Sequence, residues 1–237
     1  MSGGGAGAGD ARRLFVGIPV SLRTADDLAG ATESLARRAS GAGLRPRWVA
    51  PATYHVTLKY LGWCRAELVP VIVEGLERAA AGRRAFSFRT ARLGAFPDPR
   101  KATVVWAGVE DAGGHLATLA TRIDEEMVGL GFARERRPYK PHVTLGRLRE
   151  PSAVAEVLLP LSEQVFSETR ASELILFESV LKSDGSEYPT VARIALGRPE
   201  NAPKRQTSPV KPVAPDASES ASSPPPPADP SVDSGWE

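Results

Sequence analysis

Histidine and threonine recur at one spacing in two places, in YHVTLKYLG (Tyr54 to Gly62) and in PHVTLGRL (Pro141 to Leu148). The chain holds three histidines, and two of them, His55 and His142, open the shared tetrapeptide His-Val-Thr-Leu. On a β-strand, residues i and i+2 point to the same face, so each copy presents an imidazole beside a hydroxyl: His55 with Thr57, and His142 with Thr144. Two such strands facing each other would surround a small volume with two imidazoles and two hydroxyls. There a neutral imidazole can take a proton from a nucleophile while a protonated one gives a proton to a leaving oxygen, and the threonines can donate to non-bridging oxygens. Such a set suits metal-free cleavage of a phosphodiester. Threonine is also common in strands for its shape, and a lone strand histidine is more often structural than catalytic. Repetition of the pair is what favours chemistry.

Other chemistries find less support. No Asp, Glu or Cys falls at ligand spacing in either motif, and the H-E-x-x-H, Walker A and Rossmann glycine patterns are missing, so neither a metal nor a nucleotide cofactor is expected. A single cysteine, Cys64, excludes an intramolecular disulfide and a Cys-rich metal site, and is expected to be an inert thiol. His115, after Gly113-Gly114, has no such partner and is read as a surface or capping residue.

The elements that must position the histidines can be read along the chain. RRLFVGIPV at 12–20 is a short apolar run that suits a buried strand, and 21–39 carries Leu22, Leu28 and Leu35 at helical spacing. RWV at 47–49 suits a short strand. In YHVTLKYL strict alternation puts His55, Thr57 and Lys59 on one face and Val56, Leu58 and Tyr60 on the other. A second helix is expected at 66–81. Strands at 86–96 and 103–109 are joined across Pro97-Asp98-Pro99 as a hairpin, and a third helix runs over 114–130. The basic loop RERRPYKP then delivers the chain into the second histidine strand, followed by a short helix at 154–159 and closing strands at 172–180 and 188–196. The order suggests an internal duplication, an α+β fold of two similar lobes with the site in the cleft between them.

Composition adds bounds. The chain is 237 residues long, enough for one domain with tails. Residues 1–11 are Gly-rich, and 200–237 hold nine of the 21 prolines with little to bury; both are expected to be disordered, and 12–199 to form the domain. Three basic and six acidic residues give the tail −3, so residues 1–199 carry +5 of the overall +2. That sign permits an anionic ligand, nucleic acid included. Neither a secretion signal nor an 18-residue apolar run is seen, so a cytoplasmic chain without membrane contact is expected.

With these residues in hand, the chain resembles the 2H phosphoesterase superfamily, named for two H-x-T/S-x motifs, and in it the RNA 2′,3′-cyclic phosphodiesterases, also called 2′-5′ RNA ligases. RLFVGIPV, HVTLKYLG, FPDPR…VVWAGV, RPYKPHVTLGRL and LFESVLKSDGSEY carry the resemblance over residues 12–197. It implies a bilobal fold with a pseudo-two-fold axis, and metal-free opening of a terminal 2′,3′-cyclic phosphate to a 2′-phosphate. It further implies that His142 activates water, that His55 protonates the departing 3′ oxygen, and that Thr57 and Thr144 hold the phosphate. The partners implied are RNA ends or nucleotides bearing the cyclic phosphate, with no obligate protein partner and a monomeric chain. Arg147 matches an arginine after the second motif, but needs a bulge or strand end to turn it toward His142; otherwise it is a surface charge. Tyr139 could stack on a base or pack, and Lys59 could bind phosphate or sit at a solvated rim. Other readings are another 2H activity, on 2′-5′ oligoadenylate or small cyclic nucleotides, a non-catalytic RNA-end binder, and a Pro-rich adaptor.

Overall fold

Strand β1 (Ala11–Pro19) buries Leu14, Val16 and Ile18 on one face and Phe15 on the other. The computed structural model describes residues 11–182 and 185–197; apart from Ala11, the tails expected at 1–11 and 200–237 lie outside them. Helix α1 (Leu22–Gly41) starts where the Ser21 hydroxyl accepts the Thr24 N–H at 3.2 Å, and buries Leu28, Ala31, Leu35 and Ala39 along one stripe. Then come β2 (Arg47–Trp48), the first histidine strand β3 (His55–Arg65) and α2 (Val69–Ala80). The hairpin of β4 (Phe86–Phe96) and β5 (Ala102–Glu110) leads to α3 (His115–Gly129), whose first turn is capped by Asp111 accepting the Leu116 N–H at 2.6 Å. The second histidine strand β6 (His142–Ser152) is followed by α4 (Ala155–Leu158), β7 (Val165–Ala171), β8 (Glu173–Glu178), β9 (Val180–Leu181), β10 (Ser186–Glu187) and β11 (Thr190–Ala195). Strand β7 falls in a stretch to which the sequence pattern assigns no element.

The main sheet is antiparallel in the order β11-β8-β1-β3-β6-β5-β4-β7, with β2 paired to β6 and β9–β10 forming a separate ribbon. The two histidine strands are therefore neighbours at its centre. They are joined by a single registered pair, Val56 with Val143, and from there four strands lead away on each side. This is the expected α+β arrangement of two lobes about a pseudo-two-fold axis.

The lobes are not the two halves of the sequence, as a simple duplication would have them. Strands β8 and β11 come from the end of the chain yet join the lobe of β1. The helices cross over too: α1 leaves β1 but packs against β7 and α4 in the other lobe, while α2 and α3 cover β11 and β3. A β-strand followed by a helix long enough to span the molecule can bury its apolar stripe on the neighbouring lobe as well as on its own.

Alternation fails in both histidine strands, and at the same step. Along β3, Thr57 pairs with Gly17 and Lys59 with Val16, leaving Leu58 as the extra residue of a β-bulge; along β6, Thr144 pairs with Trp106 and Gly146 with Val105, leaving Leu145. Each bulge flips the pleat after the His-x-Thr unit. Lys59 and Gly146 turn to the helix-covered face, and the residues after them, Tyr60 and Arg147, come round to the face of the histidines.

Candidate active site

The Val56–Val143 pair fixes the site. Both valines are fully buried on the helix side, so the residues flanking them, His55 and Thr57 on β3 and His142 and Thr144 on β6, face the opposite way. Continuing that antiparallel register brings His55 across from Thr144 and Thr57 across from His142. Each imidazole thus has one hydroxyl two residues along its own strand and another across the seam. Neither threonine hydroxyl bonds to another protein group among the described residues.

The two rings are held the same way. His55 Nδ1 lies 2.7 Å from the Thr53 carbonyl and His142 Nδ1 2.7 Å from the Lys140 carbonyl. A carbonyl only accepts, so Nδ1 carries the hydrogen in both, and Nε2 is left as the atom that gains or loses a proton. Gly17 makes room for the first ring: a Cβ there would lie 3.0 Å from the Val56 carbonyl oxygen and 3.3 Å from His55 Cδ2. His55 is also ringed by Phe15, Phe177 and Tyr188 at centroid distances of 4.8, 5.7 and 5.2 Å, whereas His142 meets the edge of Phe96 at 5.0 Å. A pocket of about 240 Å³ opens beside His55 between Thr53, Phe177, Tyr188 and Arg193.

Those surroundings set the charge state. Burial pushes the His55 pKa down, the Thr53 carbonyl raises it in part, and the charges of His142 and Arg147 lower it further, to about 4. His142 is lowered as well, by burial first and by Arg147 last, with the Lys140 carbonyl opposing. The free cleft therefore holds two neutral imidazoles at neutral pH. Arg147 is felt by both rings, which places its charge at the cleft; the Leu145 bulge is the irregularity that lets it reach there.

Lys59 corrects the alternation expected of its strand. Instead of sharing the His55 face it lies buried on the helix side, its Nζ donating to Asp124 Oδ1 at 2.6 Å and to the Ala133 carbonyl at 2.9 Å. The Leu58 bulge is the cause, and a phosphate-binding or rim role is excluded by that burial. Asp124 also accepts from the Glu135 N–H at 3.0 Å and pairs with Arg134 at 3.3 Å, so it clamps the basic loop ahead of His142 onto β3. Tyr139 belongs to the same clamp: its hydroxyl donates to the Thr57 carbonyl at 3.0 Å, its ring packs on the core, and burial pushes its pKa up. The contacts seen are those of packing, not of a base platform. His115 stacks on Phe86 at 4.9 Å and takes no part in the pair, and Cys64 is buried.

Sequence reasoning missed the aromatic wall. Phe15, Phe96 and Phe177 read as ordinary strand residues, and only their alternation with Leu14, Ala95 and Leu176, all core-facing, marks them as belonging to the face of the histidines.

A sheet of two lobes with paired His-x-Thr strands at its seam defines a two-histidine phosphoesterase. The sequence pattern of the 2′-5′ RNA ligase superfamily matches residues 24–180, and the chain belongs to that family. It is 32% identical over 178 residues to an RNA 2′,3′-cyclic phosphodiesterase of Archaeoglobus fulgidus, covering 74% of this chain and 96% of the relative. Another RNA 2′,3′-cyclic phosphodiesterase, from Aeropyrum pernix, is 30% identical over 156 residues, 64% of this chain and 87% of its own. Among solved structures, TT0787 of Thermus thermophilus superposes with a TM-score of 0.66 at 25% identity, over 79% of this chain and 99% of that one. E. coli LigT, solved with 3′-AMP, shares the fold with a TM-score of 0.60 at 23% identity, over 80% and 100%. No helix among the described residues is long and apolar enough to cross a membrane.

Proposed function

We propose that the chain hydrolyses the terminal 2′,3′-cyclic phosphate of RNA to a 2′-phosphate without a metal, His55 and His142 acting as an acid–base pair while Thr57 and Thr144 hold the phosphate oxygens. The observation that carries the reading is the matched tethering of two imidazoles, each with Nδ1 on the carbonyl two residues back and Nε2 left to exchange a proton. Arg147 adds a fixed positive charge where phosphate charge develops. The groups around the seam are imidazoles, hydroxyls and a guanidinium, a set that binds phosphate rather than a cation; among the described residues no cluster of three His, Cys, Asp or Glu side chains could hold a metal. The named relatives act on the same cyclic phosphate.

In this scheme His142 takes the proton of the attacking water and His55 protonates the departing O3′. His55 must then be charged in the reacting complex, although the free cleft keeps it neutral. The bound phosphodiester supplies the difference, because its negative charge raises both imidazole pKa values. With a 5′-hydroxyl in place of water, the same pair joins two RNA ends by a 2′-5′ phosphodiester, O3′ again leaving with the proton from His55.

The test is to incubate the protein with an RNA ending in a 2′,3′-cyclic phosphate in the presence of EDTA and to identify the product isomer. A 2′-phosphate is expected; activity abolished by EDTA and restored by zinc or manganese sinks the metal-free reading, and a 3′-phosphate sinks the assignment of the leaving oxygen.

The pH profile gives a second expectation. One imidazole must be neutral and the other protonated, so kcat/KM falls on the acid side as the base gains a proton and on the alkaline side as the acid loses its own. Both free-enzyme pKa values lie below the ordinary 6.5, His55 at about 4, so the kcat/KM bell should peak below pH 6.5. The kcat bell should sit at higher pH, because substrate is then bound. Coincident bells would contradict the charge coupling between substrate and histidines.

A further inference from the structure

The histidine face of β1 and β3 continues beyond the phosphate site. Arg13 shares the face of Phe15 by alternation along β1, which is the side on which Phe15 packs against His55. Paired residues share a face, so Trp63, opposite Arg13, and Arg65, opposite Ala11, stand on it too, while Cys64 between them is in the core. Tyr60 lies between Thr57 and Trp63. Its ring is covered by the Arg13 guanidinium at 5.1 Å and its hydroxyl accepts from Arg13 Nε, so it is fixed in place. Trp63 is 66% exposed, on the open face of a strand. The Arg65 side chain is 79% exposed and pairs with the equally open Glu67 only at 4.0 Å, a surface contact that a phosphate can displace.

We propose that this strip, Arg13, Tyr60, Trp63 and Arg65, is a track for single-stranded RNA leading out of the phosphate site, with Trp63 as its stacking platform. The proposal rests on the cyclic-phosphate reading above. A cyclic phosphate ends its RNA on the 3′ side, so one strand must leave the cleft. Of the two arms it could follow, the β3 arm offers aromatic rings alternating with arginines, the pattern that binds single strands by stacking and backbone charge. The β6 arm carries Arg147, Arg149 and Glu150 but no aromatic side chain on which a base could stack. Duplex RNA hides its base faces in the stack and is not the fitting partner. Thr57 and Trp63 pair with Gly17 and Arg13, four residues apart on β1, so Trp63 stands about 13 Å along the sheet at ~3.3 Å per residue. At the ~3.4 Å stacking rise that spans about four nucleotides.

The experiment compares wild type, Trp63→Ala and Trp63→Phe on a nucleoside 2′,3′-cyclic phosphate and on cyclic-phosphate-ended RNAs of two, four, six and eight nucleotides. In parallel, binding of a 3′-phosphorylated single-stranded octamer and of a blunt RNA duplex is measured by anisotropy. Wild-type kcat/KM should climb with length and level off by about four nucleotides. Trp63→Ala should match wild type on the mononucleotide, lose about tenfold on the octamer and bind the single strand about tenfold more weakly, with Trp63→Phe recovering most of the loss. Equal effects of Trp63→Ala at every length, or octamer binding that ignores Trp63, overturns the track even if the mononucleotide is cleaved. Trp63-dependent binding of the octamer with no cleavage of any substrate would instead remove the catalytic reading and leave the track standing.

Discussion

Replacing His142 with alanine is expected to lower kcat by a factor of about 10²–10⁴, the usual contribution of one general acid or base. Replacing His55 should cost a similar factor. The informative result is the double variant, which should be scarcely slower than either single one, because a water that cannot be deprotonated gains nothing from a waiting acid and the pair acts as a unit. His55 is wedged among Phe15, Phe177 and Tyr188, so truncation there also empties packed space. His55→Asn separates the two effects: its amide can still donate to the Thr53 carbonyl, but it has no nitrogen that titrates near neutrality. Single-turnover kinetics on a 2′,3′-cyclic phosphate, with unfolding midpoints beside them, reads both. Multiplicative losses in the double variant would mean that the histidines work in separate steps and not as a couple.

Breaking the ion pair behind the site should be the costliest change to stability. In Asp124→Ala the buried Lys59 ammonium keeps only the Ala133 carbonyl, and losing one partner of a buried pair costs about 3–5 kcal/mol. The same variant frees the Glu135 N–H and Arg134, which anchor the loop ahead of His142, so catalysis should weaken with stability. Replacing both partners by apolar residues, Lys59→Met with Asp124→Leu, should recover most of the stability, since no charge is left buried. Urea midpoints of the two singles and the double close the cycle; a double as unstable as the sum of the singles would show the pair to be a bystander. Acid should act through the same group. Burial pushes the Asp124 carboxyl up, but the bonds from Lys59 and the Glu135 N–H outweigh it and hold its pKa below the ordinary value. A carboxyl so depressed stabilises the fold above the ordinary aspartate range, and that contribution fades as pH falls through its lower folded value.

Much of this architecture can be read from the chain, and the failures have physical causes. The His-x-Thr pairs, the hairpin across Pro97 to Pro99 and the three long helices follow from local pattern alone. Lys59 does not, because HVTLK alternates perfectly on paper and the bulge at Leu58 is set by pairing with β1, some forty residues away. The same bulge at Leu145 turns Arg147 toward the face of the histidines, a change of side that local alternation does not reveal. Strand β7 was invisible because its buried positions are Phe166, Thr169 and Ala171, with one large apolar side chain among them and no even spacing. Its place is held from a distance, by the Thr169 hydroxyl accepting from the Ser21 N–H at 3.0 Å.

The strand order also has a consequence for how the chain is made. β1 is synthesised before both of its partners, and β3 can cover one of its edges soon after, yet the other edge belongs to β8, where Leu14 meets Glu178. At about 5–20 residues per second of translation, the 163 residues between them take roughly 8 to 33 seconds to emerge. Throughout that interval the nascent chain displays LFVGI, an apolar strand with an open edge and the natural template for pairing with another copy. Giving the second edge of β1 to a strand from the far end of the chain therefore makes crowding on the ribosome, rather than the finished fold, the point at which this protein is most exposed to aggregation.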